Sequence, residues 1–234
     1  MSRSTLFYQL QVIDSAMDAA LARIQEIDRQ LTDNHQILST QKELETLRKT
    51  LHEKQKALSR IEHEVEDQTL KIDQNQKKLY GGSITNPKEL ADLQLEAESL
   101  QKYLAVLEDR QLEALLDYEQ ELEKTEAVEN KLASLRENKE KEDKILLTEK
   151  QNLEDFLSIQ KKKRLKKSAE IPPDDLDLYT KLRSQLGGIA AAEMKNSSCA
   201  ACGSKIPSAV EQEAKSPSKL TKCTACGRVL HPAS

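Results

Sequence analysis

One apolar stripe limits what this chain can fold into. From Leu90, steps of three and four residues reach Gln160 through 21 positions in unbroken phase, and fourteen of these are Leu, Ala, Tyr, Val or Phe. They are Leu90, Leu93, Ala97, Leu100, Leu104, Leu107, Ala114, Tyr118, Val128, Leu132, Leu135, Leu146, Leu153 and Phe156. A sustained 3.5-residue repeat is the seam of a coiled coil. Disorder is the competing reading of a chain with 32% charged residues, but a disordered chain would not keep this phase. The seam is weakest at Glu121, Thr125, Lys139 and Glu142, where fraying or bending is expected. Composition agrees: 3% aromatic residues, no Trp, and only six Gly and six Pro suit long helices better than an aromatic core.

A second stripe precedes it. Leu6, Leu10, Ile13, Met17, Ala20, Ile24, Ile27 and Leu31 alternate in the same way, followed in register by Asn34 and Leu38. The register slips by one residue between Leu38 and Leu47. It resumes through Leu51, Leu58, Ile61, Val65, Ile72 and Leu79, with Lys54, Gln68 and Asn75 at seam positions. A slip of this kind locally changes a supercoil.

The segment LYGGSITNPKEL, residues 79–90, joins the two stripes. Gly81, next to Gly82, suits the left-handed residue that ends the first helix. Asn86 is the expected N-cap of the second, Pro87 fits its first turn, and Lys88 and Glu89 follow, Glu89 at the capping-box position. Two long helices joined by a short turn near Ser83 fold back as an antiparallel hairpin. The run Lys161–Lys167 then lies at the open base.

All four cysteines fall near the C-terminal end, as Cys199-x-x-Cys202 and Cys223-x-x-Cys226, with Gly203 and Gly227 directly after each pair. Two CxxC pairs at this separation are the zinc-ribbon pattern. The other readings are two disulfides, a redox CxxC or an iron–sulfur site. A cytosolic chain disfavours disulfides, and the βαβ context of a redox CxxC is missing. Four thiolates fill a tetrahedral shell, so the metal is expected to be structural zinc. His231 is a possible substitute ligand. Between hairpin and ribbon, Pro172 and Pro173 break the long helix. Asp174 or Asp175 caps a short helix whose apolar face, Leu176, Tyr179, Leu182 and Leu186, should dock on the hairpin base.

The expected fold is thus mainly α: a long antiparallel two-helix coiled-coil hairpin over residues 1–168, a linker and short helix over 169–195, and a small β zinc ribbon over 196–234. Three stretches resemble one family, the bacterial coiled-coil hairpin proteins that end in a four-cysteine zinc ribbon: the tip at residues 79–96, LYTKLRSQLGGIAAAEM at 178–194 and CTACGRVLH at 223–231. The resemblance implies a non-enzymatic adaptor. It also implies nucleic acid, alternative sigma factors, or flagellar and related secretion components as partners. Ala201 and His231 depart from the family's commoner Gly and Tyr.

Charge adds a clue. Residues 161–234 carry 14 Lys/Arg against 7 Asp/Glu, whereas residues 1–160 carry 22 against 33. This asymmetry suggests an anionic partner for the basic part. The candidate phosphate contacts are Lys161, Lys162, Lys163, Arg164, Lys166, Lys167, Lys222 and Arg228, set against the plain reading of a solvated helix end. The alternative function is a protein-binding scaffold without nucleic-acid binding. The N-terminal stretch is interrupted by Gln9, Gln11 and Asp14, so no signal peptide is expected and the cytoplasm is the expected location.

Overall fold

The structure is a computed structural model and describes residues 2–82 and 84–232. Its elements are α1 (Arg3–Thr32), α2 (His35–Tyr80), α3 (Pro87–Ser168), α4 (Pro173–Gln185), β1 (Ala191–Lys195), β2 (Ser198–Cys199), α5 (Ser208–Ala214) and β3 (Val229–Pro232). No helix of the described residues is long and apolar enough to cross a membrane. The helical hairpin expected from the two stripes is present, with a short helix and a small strand region after it.

The chain divides into two compact units, Asn34–Lys141 and the remainder. In the first, α2 runs antiparallel to the early part of α3. Cross-helix partners rise on one helix as they fall on the other: Arg48–Glu129 at 2.7 Å, Lys54–Asp117 at 2.5 Å, Gln68 donating to the Leu100 carbonyl at 3.0 Å, and Asn75 donating to Glu96 at 3.0 Å. Leu44, Leu58, Leu107 and Leu132 are buried in its seam. Every expected seam position from Leu90 to Lys139 is buried or half-buried. The weak positions do not fray. Glu121 and Thr125 are buried within continuous helix, and the Thr125 hydroxyl donates to the Glu121 carbonyl at 2.7 Å.

Two details depart from the expected periodicity, and both fall where the chain divides. The first stripe is not one helix. It breaks at Asp33–Asn34, inside the sequence Thr-Asp-Asn, three residues whose side chains compete with helical backbone bonds. The seam then restarts at half-buried Ile37 and buried Thr40, leaving Leu38 56% exposed. The slip thus lies before Leu38, not after it. In α3 the seam moves one residue on: Glu142 is exposed, Asp143 is half-buried, and Leu157 (6% exposed) replaces Phe156 (36%). Lys139 and Glu142 offer no apolar side chain to hold the old phase.

At the helix connection the left-handed residue is Gly82 (φ 70°), not Gly81, whose φ is −75°. Gly81 is constrained differently, since a Cβ there would lie 2.5 Å from the Lys77 carbonyl oxygen. Asn86 caps α3 as expected, accepting from the Lys88 amide at 3.1 Å, and Pro87 is the first residue of α3. The turn position Ser83 lies outside the described residues.

In the second unit α1 runs antiparallel to the last part of α3, joined by Arg23–Glu149 at 2.7 Å and Lys150–Asp28 at 2.6 Å. Pro172 stands at the N-cap of α4 and Pro173 opens it, so Asp174 and Asp175 lie in its first turn and neither caps it as expected. Tyr179 and Leu182 of α4 are buried with Phe7 and Leu10 of α1, with Leu176 and Leu186 packed beside them. The Phe7 and Tyr179 rings meet edge to face at 5.5 Å. Ala190, Ala191 and Val229 extend this core into the sheet, so the short helix and the ribbon share one apolar base with α1.

Candidate metal centre

The sheet has the order β2-β1-β3, with β1 antiparallel to β2 and parallel to β3. A two-residue turn at Asn196 and Ser197, both at positive φ, returns β1 into β2 and delivers Cys199. The two CxxC knuckles have the same build. The Gly203 amide donates to the Cys199 carbonyl at 2.8 Å, and the Gly227 amide to the Cys223 carbonyl at 2.9 Å. Both glycines are left-handed, at φ 75° and 71°. The four Sγ atoms lie within 4.8 Å of one another and could hold a metal ion. Cys199 and Cys226 are 3.9 Å apart and Cys202 and Cys223 3.8 Å, far beyond the roughly 2.05 Å of a disulfide.

Beneath the sulfurs lies an apolar cluster of Ala192, Met194, Ile206, Ala214 and Leu230. Burial pushes the Cys199 thiol up to about 12. Hydrogen bonds from the Ser204 side chain and then its backbone bring Cys202 down to about 6. A cation among the sulfurs would favour thiolate at both. His231 is not in this group. It is buried on β3, its ring stacked on Tyr8 of α1 at 4.8 Å.

The basic run separates into two kinds of residue. Arg164 is turned inward, its Nε 2.6 Å from Oδ1 of Asp14, and Lys167 pairs with Glu170 at 2.8 Å. Arg228 donates to the carbonyls of Ile189 (3.0 Å) and Leu186 (2.8 Å), tying the second knuckle to the end of α4. Lys161, Lys162, Lys163, Lys166 and Lys222 are exposed, with no ion pair among the described residues.

Sequence reasoning missed the buried hub at Asp14, which is 2% exposed. Besides Arg164 it accepts from the Tyr179 hydroxyl at 2.9 Å and lies 3.5 Å from Arg183, which also pairs with Asp18. Burial, then the Asp14 charge, pushes the Tyr179 hydroxyl well above its ordinary value. Gln11, one turn earlier, donates to the Gly188 carbonyl at 2.8 Å and accepts from the Ala190 amide at 2.6 Å. A cleft of about 400 Å³ beside this hub is lined by Asp18, Arg164, Thr180, Arg183 and Ser184, but its two arginines are already neutralised by Asp14 and Asp18. The available signal was the polar pair Gln11 and Asp14 interrupting an apolar stretch.

Residues 15–187 match the CT398-like coiled coil hairpin domain. The chain belongs to that family. An uncharacterised protein of Mycobacterium tuberculosis, found in two strains, is 29% identical over 183 residues, covering 74% of this chain and 71% of the relative. Three solved structures share the fold. A protein from Mycobacterium smegmatis has a TM-score of 0.75 at 18% identity, with full coverage of both chains. CT398 from Chlamydia trachomatis has 0.69 at 12%, and the HP0958 protein from Helicobacter pylori 0.54 at 17%, each covering 99% of this chain and 98% of its own.

Proposed function

We propose that this protein is a non-enzymatic adaptor. It carries a structural zinc on Cys199, Cys202, Cys223 and Cys226 and works by holding other macromolecules, proteins first. One observation carries the protein-binding reading. α3 keeps large apolar side chains exposed off its seam, and Leu112 (58%), Leu115 (38%) and Leu116 (50%) fall together within one turn of it. Solvated helix positions are served equally well by Lys or Glu, and grouped exposed apolar residues mark interaction surfaces. The zinc assignment is supported by the sulfur spacings. A tetrahedron with Zn–S near 2.3 Å has edges of about 3.8 Å. Four sulfurs leave no open position for a substrate, and unpaired thiols at this spacing suit a reducing cytoplasm.

Capture from lysate treated with nuclease tests the function. Specific protein partners should be retained, and capture of none would sink the reading. Metal analysis tests the site: one zinc per chain is expected, lost in Cys223→Ser. Chelation should unfold the ribbon while the helices keep their circular dichroism, because zinc binding is worth on the order of 10–16 kcal/mol in small domains of this kind.

A second reading, nucleic-acid binding, is favoured by the exposed lysines Lys161, Lys162, Lys163, Lys166 and Lys222. Saturable RNA or DNA binding that weakens steeply with salt would support it. Alternative sigma factors and flagellar or secretion components, suggested by the sequence resemblance, fall within the protein-partner class.

A further inference from the structure

We propose that the groove between α1 and the end of α3 is the seat of a third helix, an acidic amphipathic segment of a partner protein. The proposal rests on the adaptor reading and gives its partner a chemistry and a place. The phase change in α3 supplies the first observation. With Leu157 in the seam, Phe156 and Ile159 stand on a stripe one residue behind it, 36% and 52% exposed. One residue is about 100° of helix rotation. The stripe therefore lies on the flank of α3, beside the seam.

An earlier member of that stripe shows which side it borders. Glu149, seven residues before Phe156, reaches Arg23 of α1. Counting from Arg23–Glu149 and from Arg164–Asp14, in the antiparallel sense, brackets Phe156 between Ala16 and Ala22 of α1. Ala16 is half-buried, and Val12, one turn before it, is 52% exposed. The same edge of the pair thus presents Phe156 and Ile159 from α3 and small or apolar residues from α1.

A two-helix coil needs apolar residues only along its seam. Apolar residues that widen the stripe to one flank are the pattern of a helix packed in a larger bundle. That width argues for a helical occupant rather than a nucleic acid, which would leave Ile159 and Val12 unexplained. Charge selects among helices. The stripe continues, at spacings of four and three, to Lys163 and Lys166, both exposed and without an ion pair among the described residues. An occupant with apolar residues at i, i+3, i+4 and i+7 and carboxylates on its flanks meets both demands.

The test uses the full-length, metal-loaded protein and two fluorescein-labelled peptides of identical Glu, Leu and Ala composition. One has Leu at i, i+3, i+4 and i+7; the other is scrambled. Oligouridine is the third probe. The patterned peptide should bind about tenfold tighter than the scrambled one, and F156A/I159A should remove that advantage, since two apolar anchors are worth about tenfold or more. K163E/K166E should weaken the patterned peptide and steepen nothing else. Equal binding of both peptides, insensitivity to F156A/I159A, tighter binding of oligouridine, or self-association of the wild type abolished by F156A/I159A would each overturn the proposal. Circular dichroism of the variants verifies that the exposed substitutions leave the helices intact. Lysate capture separates the two levels. Partners retained by F156A/I159A would end this site and leave the adaptor; no partners for the wild type would end the adaptor itself.

Discussion

Asp14→Asn removes one charge and almost no volume from the hub that fastens α4 and the ribbon to α1. The carboxylate is buried, with Arg164 at 2.6 Å, the Tyr179 hydroxyl at 2.9 Å and Arg183 at 3.5 Å. Breaking a buried ion pair from one side costs about 3–5 kcal/mol. Here the arginine side chains are 34% and 27% exposed, so water recovers part of that loss, and Arg183 keeps Asp18. We therefore expect about 2–4 kcal/mol, that range lowered by about 1 kcal/mol for solvent screening. The loss should be local. Hydrogen exchange followed by mass spectrometry should show α4 amides exchanging roughly 30- to 800-fold faster, as 1.4 kcal/mol per decade requires. The α2 helix, in the other unit, should be unchanged. Tyr179→Phe, which removes only the hydroxyl, should show a smaller effect in the same segment. If Asp14→Asn leaves α4 exchange within about threefold of wild type, the hub does not hold the module.

Two further outcomes are expected. Gly82→Ala should cost about 1–2 kcal/mol from left-handed strain alone, because nothing lies within 4 Å of the added carbon. Gly82→Asn should cost less than Gly82→Ala in thermal melts, whereas Gly81→Asn and Gly81→Ala should cost alike, since any Cβ at 81 meets the Lys77 carbonyl. Burial lowers the pKa of His231, while the Glu193 charge works the other way. The folded protein thus takes up a proton less readily than the unfolded chain. That contribution to stability is fully present above the unfolded value of about 6.5 and is lost as pH falls below it through the lower folded value. His231→Gln should flatten this part of the pH profile in urea denaturation, measured with zinc retention monitored; an unchanged slope would remove His231 from the explanation.

What was legible in the sequence follows the range of the interactions. The seam from Leu90 to Lys139 was readable because each position is set by neighbours three or four residues away. The cysteine knuckles were readable because bringing four sulfurs together and turning left-handed after each pair restrict residue type at fixed spacing, as Gly203 and Gly227 show. The helix cap at Asn86 was readable for the same reason. The Asp14 hub was not. Its partner Arg164 is 150 residues away, and nothing in the local pattern of either helix names the other. Arg164 was instead grouped with its neighbours as a phosphate contact, because a basic run gives no sign of which members turn inward. The structural part played by Arg228 is equally non-local: its two carbonyl partners, Ile189 and Leu186, lie about 40 residues earlier, where the chain leaves α4.

The hub also accounts for the phase of α3. Continued in its original phase, the seam would have passed through Phe156, Gln160 and Lys163, leaving Leu157 and Arg164 to the flank. A buried Phe contributes more apolar area than a buried Leu, so packing alone favours that arrangement. The observed phase puts Leu157 and Arg164 on the inner side instead, where Arg164 reaches Asp14. Without Arg164 the buried carboxylate would keep Arg183 alone as its cation, at 3.5 Å, and losing the closer partner of a buried ion pair costs more than the difference between two apolar side chains. The change of phase is accommodated where Lys139 and Glu142 give the seam nothing apolar to lose. Its consequence is Phe156 on the outside, beside Ile159 and ahead of the exposed Lys163 and Lys166. The same charge that locks the basal unit together therefore turns out the residues that offer a partner an apolar place to bind.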